Sequence, residues 1–205
     1  MRGLLGKKVG MTRIFDDNGN AVPVTVLQAG PCTVTQLKTI NVDGYEAVQI
    51  GYGERKQKHL TKPLKGHFDK AGIEPKKVLA EFDKVPGFDY KVGQSFHVGL
   101  FKEGEYVSIS GLSKGRGFTG VIKRHNFSRQ KKTHGTGHTE RAPGSIGQAS
   151  DPSRVFPGMR MAGRHGHSKV TVENLEIMKV DKDNNQLLVR GSVPGARNGS
   201  LLIRK

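Results

Sequence analysis

Residues 111–169 read GLSKGRGFTGVIKRHNFSRQKKTHGTGHTERAPGSIGQASDPSRVFPGMRMAGRHGHSK, and what this stretch cannot do decides the fold. Its twelve cations are Lys114, Arg116, Lys123, Arg124, Arg129, Lys131, Lys132, Arg141, Arg154, Arg160, Arg164 and Lys169. Only Glu140 and Asp151 oppose them, so the stretch holds +10 of the formal net charge of +16. Large apolar side chains are sparse: Leu112, Phe118, Val121, Ile122, Phe127, Ile146, Val155, Phe156, Met159 and Met161. Ordering a backbone costs about 1–2 kcal/mol per residue, and burying one large apolar side chain returns about 1.5–3 kcal/mol. With so few apolar residues, many glycines and one sign of charge, the stretch is expected to stay mobile alone and to fold on a polyanion. The core has to come from the flanks.

The flanks alternate in the manner of strands. Residues 1–15 form an opening strand with Leu4, Leu5, Val9, Met11 and Ile14, and its Lys7, Lys8 and Arg13 are candidates for nucleic-acid contact. The run 16–20 (DDNGN) is a tight-turn signal. Strands follow at 21–28 and 32–39, broken by Gly30-Pro31, and at 45–52 after the turn Val42-Asp43-Gly44. From 53 to 90 the pattern changes to a short helix, a proline-marked turn and a strand, read as a subsidiary insert. Strands resume at 95–101, 106–110, 170–180, 186–190 and 201–204. Many short strands with tight turns, no repeated β–α alternation and no internal repeat predict a mainly β chain built as a closed antiparallel barrel or sandwich. The expected boundaries are a β domain over 1–111 and 168–205, with its insert at about 53–93, and an extension over 112–167.

Charge is local to the extension. Residues 1–110 carry 16 Lys/Arg against 12 Asp/Glu, and those after Lys169 carry 6 against 4. A local positive field points to nucleic acid first and to an anionic membrane second. The cations do not line one face of an amphipathic helix, and no apolar run approaches the roughly 18 residues of a membrane span. The single cysteine, Cys32, excludes an internal disulfide and suits a reducing cytoplasm. Isolated lysines such as Lys56, Lys58, Lys76 and Lys77 read as solvated surface.

Several motifs have a bland alternative that is preferred. Gly115-Arg116-Gly117-Phe118-Thr119-Gly120 matches G-x-G-x-x-G, but no helix long enough for a βαβ crossover follows it. The same residues begin like an RNA-recognition-motif core, yet Gly120 and Lys123 stand where stacking aromatics belong. His125, His134, His138, His165 and His167 lie among glycines and far from Cys32, so a metal site is not expected, and stacking or ribose contacts suit them better. Ser145 and Ser150 lack nucleophile-elbow spacing, and no acid pair suggests catalysis. No enzyme activity and no cofactor are expected.

The blocks MRGLLGKKVGMTRIF, GPCTVTQ, DGYEAVQIGYG, KPLKGHFDKAG, SGLSKGRGFTGVIKRHNF, RAPGSIGQ, MRMAGRHG, KVTVENLEI and LLVRGSVPGARNG run collinearly through the chain. Through them the chain resembles, essentially end to end, the bacterial large-subunit ribosomal protein L3 family. The resemblance implies a six-stranded barrel of the translation-protein type, with a small α/β insert and a long irregular extension buried in rRNA. It further implies binding near the 3′ end of the large-subunit rRNA, early nucleation of assembly, and an extension directed towards the peptidyl transferase centre. The implied contacts to large-subunit rRNA are Lys7, Lys8, Arg13, Lys114, Arg116, Lys123, Arg124, His125, Arg129, Lys131, Lys132, His134, His138, Arg141, Arg154, Arg160, Arg164 and His165. The loop nearest the catalytic RNA would hold Gly144, Ser145, Gln148, Ser150, Asp151 and Ser153. In some members a methylated glutamine stands where this chain has Ser150, so that modification is expected to be absent, and Gln148 is no safe substitute. Neighbouring ribosomal proteins L14 and L19 are implied partners, with no membrane and no homo-oligomer. A free RNA-binding chaperone or regulator is the alternative reading, and an RNA-modifying enzyme is the third.

Overall fold

The computed structural model describes residues 3–16 and 18–205; Met1 and Arg2 of the expected opening strand and Asp17 of the expected turn lie outside the described residues. In chain order, the hairpin β1 (Gly3–Phe15) and β2 (Ala21–Ala29) is followed by β3 (Cys32–Lys38), a one-turn helix α1 (Ile40–Asp43) and β4 (Ala47–Glu54). A 3-10 turn (Gln57–His59), α2 (Lys62–Ala71), β5 (Lys76–Asp83), β6 (Ser95–Phe96), a second 3-10 turn (Val98–Leu100) and β7 (Tyr106–Leu112) come next. Then follow β8 (Phe118–Thr119), α3 (Val121–His125), a third 3-10 turn (Gly137–Thr139) and β9 (Gly163–Arg164). The chain closes with β10 (Lys169–Asp181), β11 (Gln186–Arg190) and β12 (Ser200–Arg204). It divides into two compact units, Met1–Ser113 with Lys169–Lys205, and Lys114–Ser168.

In the first unit, six strands close into an antiparallel barrel in the order β1-β12-β7-β10-β11-β2, with β2 returning to β1. Closure removes the exposed edges that an open sheet leaves unpaired. The two-residue period of each strand sends one set of side chains inward. Leu4, Val24, Leu27, Ile109, Ile177, Leu187, Val189 and Ile203 are completely buried. The β1–β2 turn is made by Asp16, whose Oδ1 accepts the N–H groups of Asn18 (3.1 Å) and Asn20 (2.7 Å), and by Gly19 at φ +78°.

The remaining strands of this unit form a separate four-stranded sheet, ordered β5-β4-β3-β6. This sheet takes in more of the chain than the insert expected at about 53–93. Ala29 still pairs with Gly6 in the barrel, whereas Cys32 pairs with Tyr52 and Phe96, so the Gly30-Pro31 break carries the chain from one sheet to the other. Alternation identifies a strand without naming its partner, which is why β3 and β4 were not distinguishable from barrel strands. The expected strand at 95–101 is also shorter. Only Ser95–Phe96 pairs as a strand, because Val98 and Phe101 are both buried three residues apart, a spacing met by a 3-10 turn and not by a two-residue period. Val34, Val48, Ile50 and Phe82 of this sheet join Leu4 and Ile109 of the barrel in one continuous apolar core.

Candidate nucleic-acid interface

The second unit has a short ordered stem. β8 and β9 pair Phe118 with Arg164 and Thr119 with Gly163, and the ladder continues as Arg116 N–H donates to the His165 carbonyl and His165 N–H to the Gly117 carbonyl, both at 2.9 Å. Gly166, at φ +73°, lies so close to the Lys114 carbonyl that any side chain there would collide with it. After β8, the one-turn helix α3 turns its basic end back on the returning strand. Arg124 Nη1 donates to the Met161 carbonyl at 2.7 Å, and His125 Nε2 meets the same oxygen at 3.1 Å, which requires the proton on Nε2. Arg116 Nη1 donates to His165 Nε2 at 3.2 Å, fixing that nitrogen as an acceptor.

Beyond the stem, backbone and hydroxyl groups satisfy one another locally. Ser145 Oγ donates to the Gly147 carbonyl at 2.9 Å, Ser153 Oγ donates to the Ser150 carbonyl, and Thr136 and Thr139 bond carbonyls three residues back. The loop holding Gly144, Ser145, Gln148, Ser150, Asp151 and Ser153 is exposed at each of these positions. In the whole unit only Thr119 and Val121 are buried, and the Thr119 hydroxyl has no hydrogen-bond partner. A unit of this size with two buried residues has almost no apolar core of its own.

Charge is arranged accordingly. Lys114, Arg116, Lys123, Arg129, Lys131, Lys132, His134, His138, Arg141, Arg154, Arg160 and Arg164 are exposed, while Arg124, His125 and His165 are half-buried in the stem. Among the described residues of this unit one salt bridge occurs, Arg129 Nε to Glu140 Oε1 at 3.4 Å. Two aromatic rings stand out in this cationic setting. Phe118 is 80% exposed and sits across the ladder from Arg164, and Phe156, half exposed, has the Arg154 guanidinium 5.6 Å from its centroid. Phe127 instead packs beside His125, with ring centroids 6.2 Å apart. A surface of cations that mostly lack an acid partner, together with exposed aromatic rings, can hold phosphates and stack on bases; no group of three or more His, Cys, Asp or Glu among the described residues is placed to hold a metal ion.

The cations of the first unit divide. Arg13 is exposed and Lys7 half-buried, but Lys8 is only 9% exposed and its Nζ donates to the Val193 carbonyl at 3.0 Å. Lys8, expected among the rRNA-binding residues, is thus held by a contact inside the fold: it stands at the β1 bulge, where the register with β2 shifts between Lys8 and Gly10. The pairing of Phe118 with Arg164 went unread in the sequence, because strands of two residues leave no periodicity to detect. No helix among the described residues is long and apolar enough to cross a membrane.

A family model described as Ribosomal protein L3 matches residues 89–187. A protein of Chlorobium limicola named large ribosomal subunit protein uL3 is 50% identical over 204 residues, covering 99% of this chain and 98% of that protein. Its namesake in Heliobacterium modesticaldum is 53% identical over 204 residues, covering 99% and 96%.

Proposed function

The chain belongs to the ribosomal protein L3 family, and from that premise we propose how its two units divide the work of a primary rRNA-binding protein. It is a structural constituent of the large ribosomal subunit in the cytoplasmic ribosome, and not an enzyme. The barrel and its second sheet, over 1–111 and 168–205, form the folded body that docks near the 3′ end of the large-subunit rRNA. The extension, 112–167, enters the rRNA towards the peptidyl transferase centre and brings the 144–153 loop nearest to it. Binding at this stage nucleates subunit assembly, with proteins L14 and L19 as neighbours.

The observation that carries this reading is the pairing of many free cations with a nearly absent core. The Lys114–Ser168 unit buries two residues and neutralises one of its cations internally. Phosphates supply both the counter-charge and the free energy of ordering that the unit lacks. Lysine and arginine then fix position on the backbone, and the exposed Phe118 ring stacks on a base. Sedimentation of a gentle lysate tests the assignment: the protein should co-migrate with large subunits and their precursors. A protein found mostly free of ribosomal particles would instead mark a free RNA chaperone or regulator.

A further inference from the structure

Between Glu54 and Asp69 the chain reads RKQKHLTKPLKGHF, in which Arg55, Lys56, Lys58, Lys62 and Lys65 meet no acid. All five side chains are exposed, and none takes part in a salt bridge among the described residues. This segment belongs to the first unit and not to the Lys114–Ser168 unit.

The cations sit on ordered backbone. The 3-10 turn is closed by His59 N–H to the Lys56 carbonyl and Leu60 N–H to the Gln57 carbonyl, both at 3.0 Å. α2 is pinned by Phe68, which is 1% exposed, and Gln57, Leu60, Lys65 and Phe68 line one hollow between the 3-10 turn and the helix, whose lining also includes Asp69 and Glu74. Side chains held on such a frame lose less freedom on meeting a ligand than those of a mobile loop. Thr61 makes no side-chain cap, Pro63 has no N–H and the Lys65 N–H bonds the Thr61 carbonyl, so the N–H groups of Lys62 and Leu64 are the donors the first turn of α2 adds.

The chemistry of the surface selects its partner. Protein interfaces centre on aromatic or arginine anchors seated in desolvated pockets; from 46 to 87 no large apolar side chain is exposed, and Arg55 is the one arginine. A nucleic-acid backbone needs only charge and donors. Four of the five cations are lysines, which act as point charges and lack the bidentate fork that reads a guanine edge. We propose that the 3-10 turn and the start of α2 form a second phosphate-backbone site for rRNA, in which Lys56, Lys58, Lys62 and Lys65 anchor the folded body without reading base sequence. This rests on the ribosomal assignment above.

The test is acetylation footprinting of the full chain with and without a large-subunit rRNA transcript, alongside the salt dependence of binding for a K56Q/K58Q/K62Q/K65Q variant. All four lysines should be protected by rRNA. The variant should bind with a salt slope shallower by about 2 or more, since each phosphate left without its lysine lowers the slope by up to about 0.9. Protection of Lys131 and Lys132 with none at the four lysines overturns this site and leaves the ribosomal reading standing. Absence of protection at both surfaces overturns the ribosomal reading as well. If the variant keeps its rRNA slope but loses affinity for polyglutamate, the surface serves an acidic protein and the proposal fails. Should the variant unfold, footprinting of the unmodified chain decides alone.

Discussion

Replacing Lys131 and Lys132 by glutamine removes two exposed cations that no acid among the described residues neutralises. Both lie in the Lys114–Ser168 unit, away from its two buried residues, so the fold of the protein alone should be unaffected. If each ammonium displaces one counterion from an rRNA phosphate, the slope of log affinity against log salt becomes shallower by about 0.9 per lysine, about 1.8 for the pair. Between 50 and 200 mM salt the parent chain then loses about tenfold more affinity than the variant does. The assay is equilibrium binding to a labelled large-subunit rRNA fragment at several potassium chloride concentrations. Arg129→Gln is the internal comparison: its guanidinium is already shared with Glu140 at 3.4 Å, so phosphate binding there replaces an existing partner and its slope change should be smaller than that of either lysine. Parallel slopes for the parent and the double variant would refute ionic contact by these two side chains, whatever happens to the affinity at one salt concentration.

Phe118→Ala should weaken rRNA binding by about 1–3 kcal/mol, the worth of one stacked base, and leave the urea midpoint of the free protein unchanged because the ring is 80% exposed; equal affinity for both forms would remove the stacking role. Ile109→Ala should do the converse, costing about 2–5 kcal/mol of stability by leaving a cavity in the barrel, since Ile109 is fully buried and faces Ile203 and Val172 across its two neighbouring strands. A loss below about 1 kcal/mol in urea unfolding would mean that the barrel collapses freely around the gap. The Asp16 carboxyl is held below its ordinary value by the backbone and side-chain N–H groups of Asn20. A depressed acid contributes stability above the unfolded value, and that contribution is lost as pH falls through the folded one. Asp16→Asn should therefore flatten the acid limb of the stability curve from the ordinary carboxylate value of 3.8 downwards, and an unaltered limb in thermal melts would exclude the contribution.

The strands of the barrel were legible because a two-residue period survives in runs such as 186–190 and 201–204, where one face must be buried. Sheet membership was not, since the Cys32–Lys38 strand presents the same alternation whichever sheet it joins. Position in the alternating pattern also failed to mark Lys8: a long aliphatic stem can enter a core when a carbonyl such as that of Val193 receives its ammonium. In the extension, composition alone exposed the shortage of core. It could not bring Phe118 next to Arg164, residues far apart in the chain that meet across the two-residue β8–β9 ladder. The cationic run at 55–65 looked like ordinary solvated loop until the 3-10 turn and α2 gave it a fixed frame.

Leu112 pairs with Lys169 at the end of the β7–β10 ladder, so everything between them is, topologically, the loop of a single β-hairpin. The entropy of closing a loop grows only with the logarithm of its length, about 0.6 kcal/mol for each doubling. The barrel is thus nearly indifferent to how long that loop is, provided the two strand ends still meet. Its length can drift, shorten or be replaced by a tight turn with little effect on the closed sheet, so closure of the barrel does not set its present size.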